Sequence, residues 1–348
     1  MRSTYEEHRA KVENVREYIE VLKNIADIPS QHPEELASKE LKSFVSMPQK
    51  RSYDYSLIII TLYGIFESYV EKMICAYLDT LKVQISSYND LPEALRRSHI
   101  DLSTKLLGAS SAKHGEIKPA EIIANLHSCL NQSSANYQLN VEAFRQHSSN
   151  FRKDTLREFF NQAGVDSIQN HIINDPALTS FIRTTMGDEE SEAAVPASKY
   201  FEKLEDLVER RNVVAHGSKV DDLLSFDYLD EYAQYIYLLM SPIYDGLLEA
   251  FYTMAIKANT IDMLGTPIAV YDNKIVCINS SNFPIKVGHI LIARNSEGKL
   301  KWSPIESIGV NGNFINEISP DQAIDIGMSV SFIAKKNYTY YRYPNISP

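Results

Sequence analysis

Cysteine is scarce. Cys75, Cys129 and Cys277 are the three in 348 residues, and they lie far apart with no paired spacing. Neither a disulfide framework nor a zinc site can be read from them, and a reducing, cytoplasmic setting is the expectation. Long apolar runs are missing as well. The longest, Leu57 to Phe66, is about half the roughly 20 residues that a membrane-spanning helix needs. It reads as a buried core helix, and no membrane association is expected. No apolar stretch follows the charges of Met1-Arg2-Ser3-Thr4-Tyr5-Glu6-Glu7-His8-Arg9, so a secretory signal is not expected either. The nine histidines include no pair at ligand spacing, and the expectation is no metal and no other cofactor. Gly108 to Lys113 lacks the second glycine and the closing Ser or Thr of a phosphate loop, with His114 following instead, which argues against a nucleoside triphosphatase. Positive charge is not in excess: 35 Lys and Arg face 45 Asp and Glu, a net charge of −10. That excludes coating of nucleic acid by a broadly basic surface, so any such contact must be local.

What is present is ordinary globular material, 44% apolar and 23% charged, in a length suited to two domains. Apolar residues at three- and four-residue spacing, Val12, Val15, Ile19, Leu22 and Ile25, predict a helix over residues 5–26. A long apolar helix carrying Glu67 and Glu71 is expected over 53–83, as the centre of the core. Residues 86–150 are more broken, with shorter helical stretches between Pro92, Pro119 and runs of Ser and Asn. Helices follow over 153–163, ending at Gly164, and over 167–174, before Pro176. The acidic stretch 187–192 reads as an exposed loop. A helix from Ser198 stops where Gly217 can adopt a left-handed cap, and a last long helix runs from Phe226 to about Ala258. After Asn259, Gly, Pro, Val, Ile and Asn replace Leu and Glu. Short strand-like runs follow at 268–271, 274–278, 287–293, 300–309, 313–317 and 328–334, and the tyrosines at 338, 340, 341 and 343 alternate as in a closing strand. The expected fold is mainly α: a helical domain over 1–258 and a small β-barrel over 259–348.

The chemistry-bearing residues gather at one helix end, Arg211-Asn212-Val213-Val214-Ala215-His216-Gly217. Four residues apart on a helix, Asn212 and His216 project from one face, and Arg211 reaches from its flank. Histidine exchanges protons near neutral pH. Arginine offers a planar fork of donors to phosphate oxygens and keeps its charge. RNA can be cut without a metal when its own 2′-hydroxyl attacks the adjacent phosphate, and these are the groups that reaction needs. Arg211 is the expected stabiliser of phosphoryl charge, His216 the general acid or base, and Asn212 the orienting amide. The neighbouring cations Arg210 and Lys219 are expected to contact RNA. A single histidine falls short of both acid and base work. A symmetric homodimer would bring two copies of Arg211 and His216 into one groove. The basic group Arg145, Arg152, Lys153 and Arg157 can guide RNA or form a solvated helix face, and the second reading is favoured.

The Arg-Asn-x3-His arrangement, between a leucine-rich helix and another long helix, resembles the HEPN family. The stretch Tyr63-Gly64-Ile65-Phe66-Glu67-Ser68-Tyr69 within 57–74 is similar to that family's earlier core helix with its acidic residue. Ser148-Ser149-Asn150-Phe151, leading to Phe159-Phe160-Asn161-Gln162-Ala163-Gly164-Val165-Asp166, resembles its RiboL-PSP-HEPN branch. The resemblance covers roughly residues 50–250. It implies an HEPN-like helical bundle and a metal-independent endoribonuclease site at a dimer interface, with Arg211, Asn212 and His216 matching the Arg-x4-His motif and Glu67 as a further catalytic candidate. It also implies a toxin or antiphage defence role, acting on RNA such as tRNA and restrained by an antitoxin or released by a phage-derived trigger. The competing expectation is a non-catalytic interaction or nucleotide-binding module built from the same helices.

Overall fold

The computed structural model describes residues 1–31, 43–44, 46–109, 118–131, 136–147, 149–189, 193–217, 222–280, 283–319, 322–344 and 348. Lys219, Ser148, the 110–117 part of the glycine-containing segment and the 190–192 part of the acidic stretch lie outside them. The protein is mainly α. Its helices are α1 (Arg2–Gln31), α2 (Lys50–Gln84), α3 (Glu93–Ala109), α4 (Pro119–Leu130), α5 (Lys153–Gln162), α6 (Ile168–Ile173), α7 (Pro176–Met186), α8 (Lys199–Ala215) and α9 (Phe226–Lys257). None of the described helices is long and apolar enough to cross a membrane. By compactness the chain divides into one unit of Met1, Ser3–Asp79 and Leu91–Leu247, and a second of Arg2, Thr80–Asp90 and Leu248–Pro348. The division falls inside α9 and, between Asp79 and Thr80, inside α2.

In the first unit α2 is central because it presents one long apolar face to the core. Tyr55, Ile58, Ile59, Leu62, Tyr63, Phe66, Tyr69, Val70, Met73 and Ile74 are all buried at three- and four-residue spacing, while Tyr53, Leu57 and Ile60 on the opposite face are exposed. The buried hydroxyls of Tyr55 and Tyr69 find partners on neighbouring helices, whereas that of Tyr77 has none among the described residues. Tyr69 Oη donates to the carbonyl of Met240 in α9 at 2.7 Å. Leu229, Tyr232, Ile236, Leu239, Met240 and Ile243 of α9 are buried in the same unit, and Tyr235 Oη donates to the Tyr200 carbonyl of α8 at 2.7 Å. Gly164 ends the turn after α5 at φ +76°, close against the Pro92 ring. The sequence pattern misses α7. Pro176 stops nothing. It begins a helix at a position where a missing N–H costs little, with Asp175 accepting from the Leu178 N–H at 2.7 Å and Gly187 closing the far end in the left-handed region.

A buried polar knot ties α3 and α4 to the segment before α5. The Asn140 N–H donates to His99 Nε2 at 2.9 Å, and its side chain donates to Ser103 Oγ and the Ile122 carbonyl. His99 must therefore be neutral, and burial pushes its pKa from 6.5 down to about 4. A lowered folded pKa adds stability that is complete above pH 6.5 and is lost as pH falls towards 4. Urea unfolding is expected to show about 2–3 kcal/mol less stability at pH 4.5 than at pH 7 from this group. A His99→Gln chain should lack that part of the slope.

The second unit carries strands β1 (Asp262–Gly265), β2 (Ala269–Tyr271), β3 (Ile275–Ser280), β4 (Ile285–Lys286), β5 (Ile290–Arg294), β6 (Leu300–Pro304), β7 (Ser307–Val310), β8 (Asn313–Ile315), β9 (Glu317–Ile318), β10 (Ile324–Ser329) and β11 (Thr339–Tyr343). The expected barrel is not closed. Among the described residues the strands form a sheet in the order β1-β11-β5-β6, a second in the order β2-β3-β10-β7-β8, and the pair β4-β9. The run 300–309, expected as one strand, is two. Pro304 has no N–H to extend the ladder with β5. The next two residues then change partners: Ile305 donates to His289 beside β5 at 2.8 Å, and Glu306 donates to Ser329 of β10 at 3.0 Å. The chain thus switches sheets at a single bond, and both sheets contribute to one core that includes Leu291, Ala293, Ile308, Ile326, Met328 and Tyr340. Strand character in the expected run 328–334 ends at Ser329, because Val330 and Ala334 donate to the carbonyls of Lys274 and Asn273 instead.

Candidate active site

Helix α8 buries Tyr200, Phe201, Leu204, Leu207 and Val208, one stripe at helical spacing. Continuing that stripe by one turn leads to Arg211 and Asn212, which are half-buried, while Val213, Ala215 and His216 are exposed. The helix then stops as the glycine predicts. The His216 N–H donates to the Asn212 carbonyl and the Gly217 N–H to the Val214 carbonyl, both at 3.0 Å, with Gly217 at φ +67°.

Arg211 lies over the ring of Tyr63 on α2, its guanidinium carbon 5.3 Å from the ring centroid. Arginine has only donors, so the Asn212 atom facing it, 3.3 Å from Nη1, is Oδ1. The same Oδ1 accepts from Asn150 Nδ2 at 2.8 Å. The Asn212 amide is thus fixed from two sides, and its Nδ2 has no hydrogen-bond partner among the described residues. His216 likewise has no described partner for its ring. One anchored cation, one oriented amide donor and one unengaged imidazole occupy the last turn of one helix.

Beneath Arg211, Tyr63 joins three segments. Its hydroxyl accepts from the Phe151 N–H at 2.9 Å and donates to Glu67 Oε1, one turn along α2, at 3.1 Å. Burial first, and the Glu67 charge second, push the phenol above its ordinary pKa, so it stays a donor. Glu67 is therefore connected to Arg211 through Tyr63. It is also 3.9 Å from His147 Nε2. That nitrogen hydrogen-bonds Glu71 Oε1 at 3.0 Å, and Nδ1 faces the Ser149 carbonyl at 2.9 Å. The bond to Glu71 raises the His147 pKa against the opposing effect of burial. Burial would raise the Glu71 pKa, but bonds from His147 and Arg145 hold it below the usual carboxylate value.

Among the residues singled out in the sequence, Arg211, Asn212 and Glu67 are brought into one connected group, and His216 lies one turn beyond on the exposed helix end. Arg210 is engaged elsewhere in the bundle. It donates to Asp206 at 2.6 Å and to Tyr55 Oη at 3.0 Å, and Tyr232 donates to the same carboxylate. The basic group proves to be paired: Arg145 with Glu142 and Glu71, Arg152 with Glu205 and Glu209, Arg157 with Asp154, while Lys153 lies over the Phe201 ring. The sequence reading missed Tyr63, Asn150 and His147 as site residues. Tyr63 carried a signal, since it precedes Glu67 by one helical turn.

Comparison with known proteins gives one match. The RiboL-PSP-HEPN family model fits residues 12–249, well over half of the chain and spanning every residue of the connected group. No curated protein and no solved structure matches the chain.

Proposed function

The chain belongs to the RiboL-PSP-HEPN family, and from that membership together with the α8 terminus we propose that it is a metal-independent endoribonuclease. The observation that carries the reading is the last turn of α8, where an anchored guanidinium and an oriented amide stand beside a free, exposed imidazole. In the proposed reaction His216 takes the proton from a ribose 2′-hydroxyl, the O2′–P bond forms, and the P–O5′ bond breaks as O5′ receives a proton from a general acid. Arg211 stabilises the charge on the non-bridging oxygens. The free Nδ2 of Asn212 holds the phosphate in line. The products are a 2′,3′-cyclic phosphate and a 5′-hydroxyl.

The general acid is supplied by a second copy of His216, across a twofold axis that pairs the exposed α8 ends. Such an enzyme would damage its own cell, so its setting is that of a cytoplasmic toxin or antiphage effector, held by an antitoxin or awakened by a phage-derived trigger. Arg210 is a structural residue in this reading, since its guanidinium is occupied within the bundle. The family relationship is equally compatible with a nucleotide-binding module that cuts nothing, and one experiment separates the two. Purified protein incubated with labelled tRNA and structured RNA in EDTA is expected to yield fragments whose 3′ ends resist phosphatase, as cyclic phosphates do. RNA that is bound but left intact, together with expression that does not slow growth, would assign the chain to the module class.

A further inference from the structure

The Asn150–Asn212 bond raises the question of what holds Asn150. Its segment is fastened to α2 at two points, by Phe151 N–H on Tyr63 Oη and by His147 on Glu71. Both ring nitrogens of His147 face acceptors, the Ser149 carbonyl and the Glu71 carboxylate, with the Glu67 carboxylate also within 3.9 Å. Only the imidazolium donates at both nitrogens. The rings of Phe151 and Phe159 close the remaining sides, with centroids at 4.4 and 6.1 Å.

We propose that Asn150 is a positioning residue for the Asn212 amide, and that the His147–Glu71 ion pair is the clamp that keeps Asn150 in place. The assignment of this amide to phosphate binding rests on the ribonuclease reading above, whereas the coupling itself does not. The charged groups facing His147 are Glu67 and Glu71 of α2, and Arg145 shares Glu71 from the segment before the clamp. Two carboxylates face the ring while Arg145 is itself paired with Glu71 and Glu142, which favours the charged ring. Since the His147 pKa is raised in the folded chain, the clamp is complete below the ordinary histidine value and is released as pH rises through the raised one.

The test follows the side-chain amide resonances of Asn150 and Asn212 and the imidazole of His147 by NMR, on the full chain, from pH 6 to 9. The amides are expected to shift with the His147 midpoint. Glu71→Gln, which keeps the size and a hydrogen-bonding oxygen, should lower all three midpoints together by about one pH unit, and His147→Gln should remove the transition from the amides. Amide resonances that stay flat while His147 titrates would overturn the coupling, whether or not the protein cuts RNA. In the cleavage assay the alkaline limb of the rate–pH profile should move down with Glu71→Gln, and Asn150→Ala should slow cleavage about tenfold, the worth of one orienting hydrogen bond. Coupled resonances with an unmoved alkaline limb would overturn the positioning role alone.

Discussion

Arg211→Ala is expected to slow RNA cleavage by about 10²- to 10³-fold, the usual cost of removing one preorganised donor from developing oxyanion charge. The effect should appear in the chemical step, because the guanidinium is already held in the free protein by the Tyr63 ring and Asn212 Oδ1. Its position need not be found on binding. Arg211→Lys separates charge from geometry. Lysine keeps the positive charge and loses the planar fork and the stack over Tyr63, so it should recover only a small part of the lost rate. Single-turnover rates in EDTA measure both variants. Folding should be only modestly disturbed, since a half-buried cation–π contact contributes about 0.5–2 kcal/mol. Equal rates for the native chain and Arg211→Ala would remove the residue from the site.

The second large effect is expected at His216. Loss of a general acid or base costs typically about 10²- to 10⁴-fold, and His216→Ala should fall in that range. The side chain is exposed with no described partner, so the substitution should change unfolding free energy by no more than about 0.5 kcal/mol. A lost rate with unchanged stability is what distinguishes a reacting group from a helix cap. The same variant tests the dimer. If one groove needs both copies of His216, exchanging native chains with His216→Ala chains should lower cleavage as the square of the native fraction. A fall merely in proportion to the native fraction, in chains proved by crosslinking to have exchanged, would mean that each chain acts by itself.

The elements that position this site were legible in the sequence where one element sufficed to define them. The buried stripe of α8 and the glycine that ends it are local patterns, and so is the apolar face of α2. Pro176 was misread because the same ring that ends a helix in its interior is at home in its first turn. The barrel was misread because alternation marks strands but not their partners, and the change of sheet after Pro304 is made by two backbone N–H groups with no side-chain signature. The site roles of Tyr63, Asn150 and His147 were missed for a related reason. Their roles exist only through contacts between distant parts of the chain, and a tyrosine, an asparagine or a histidine considered alone has many ordinary uses. Arg210 shows the reverse case, a cation beside the motif that looks available in the sequence and is occupied in the fold.

The hydroxyl of Tyr63 bonds a residue 88 positions later, and Asn150 bonds one 62 positions later still. Contacts of such separation form only after the intervening chain has been made and the bundle has closed around it. During synthesis α2 and the Asn150 segment leave the ribosome well before Arg211, so nothing preceding α8 can prearrange the amide or the guanidinium. A nascent chain of the proposed ribonuclease would therefore be harmless to the message it is being read from for most of its translation. Truncations that end before α8 should be inert for the same reason. Under the proposed function, the window in which restraint would have to act on a newly made molecule opens late, once the end of α8 has docked on Tyr63.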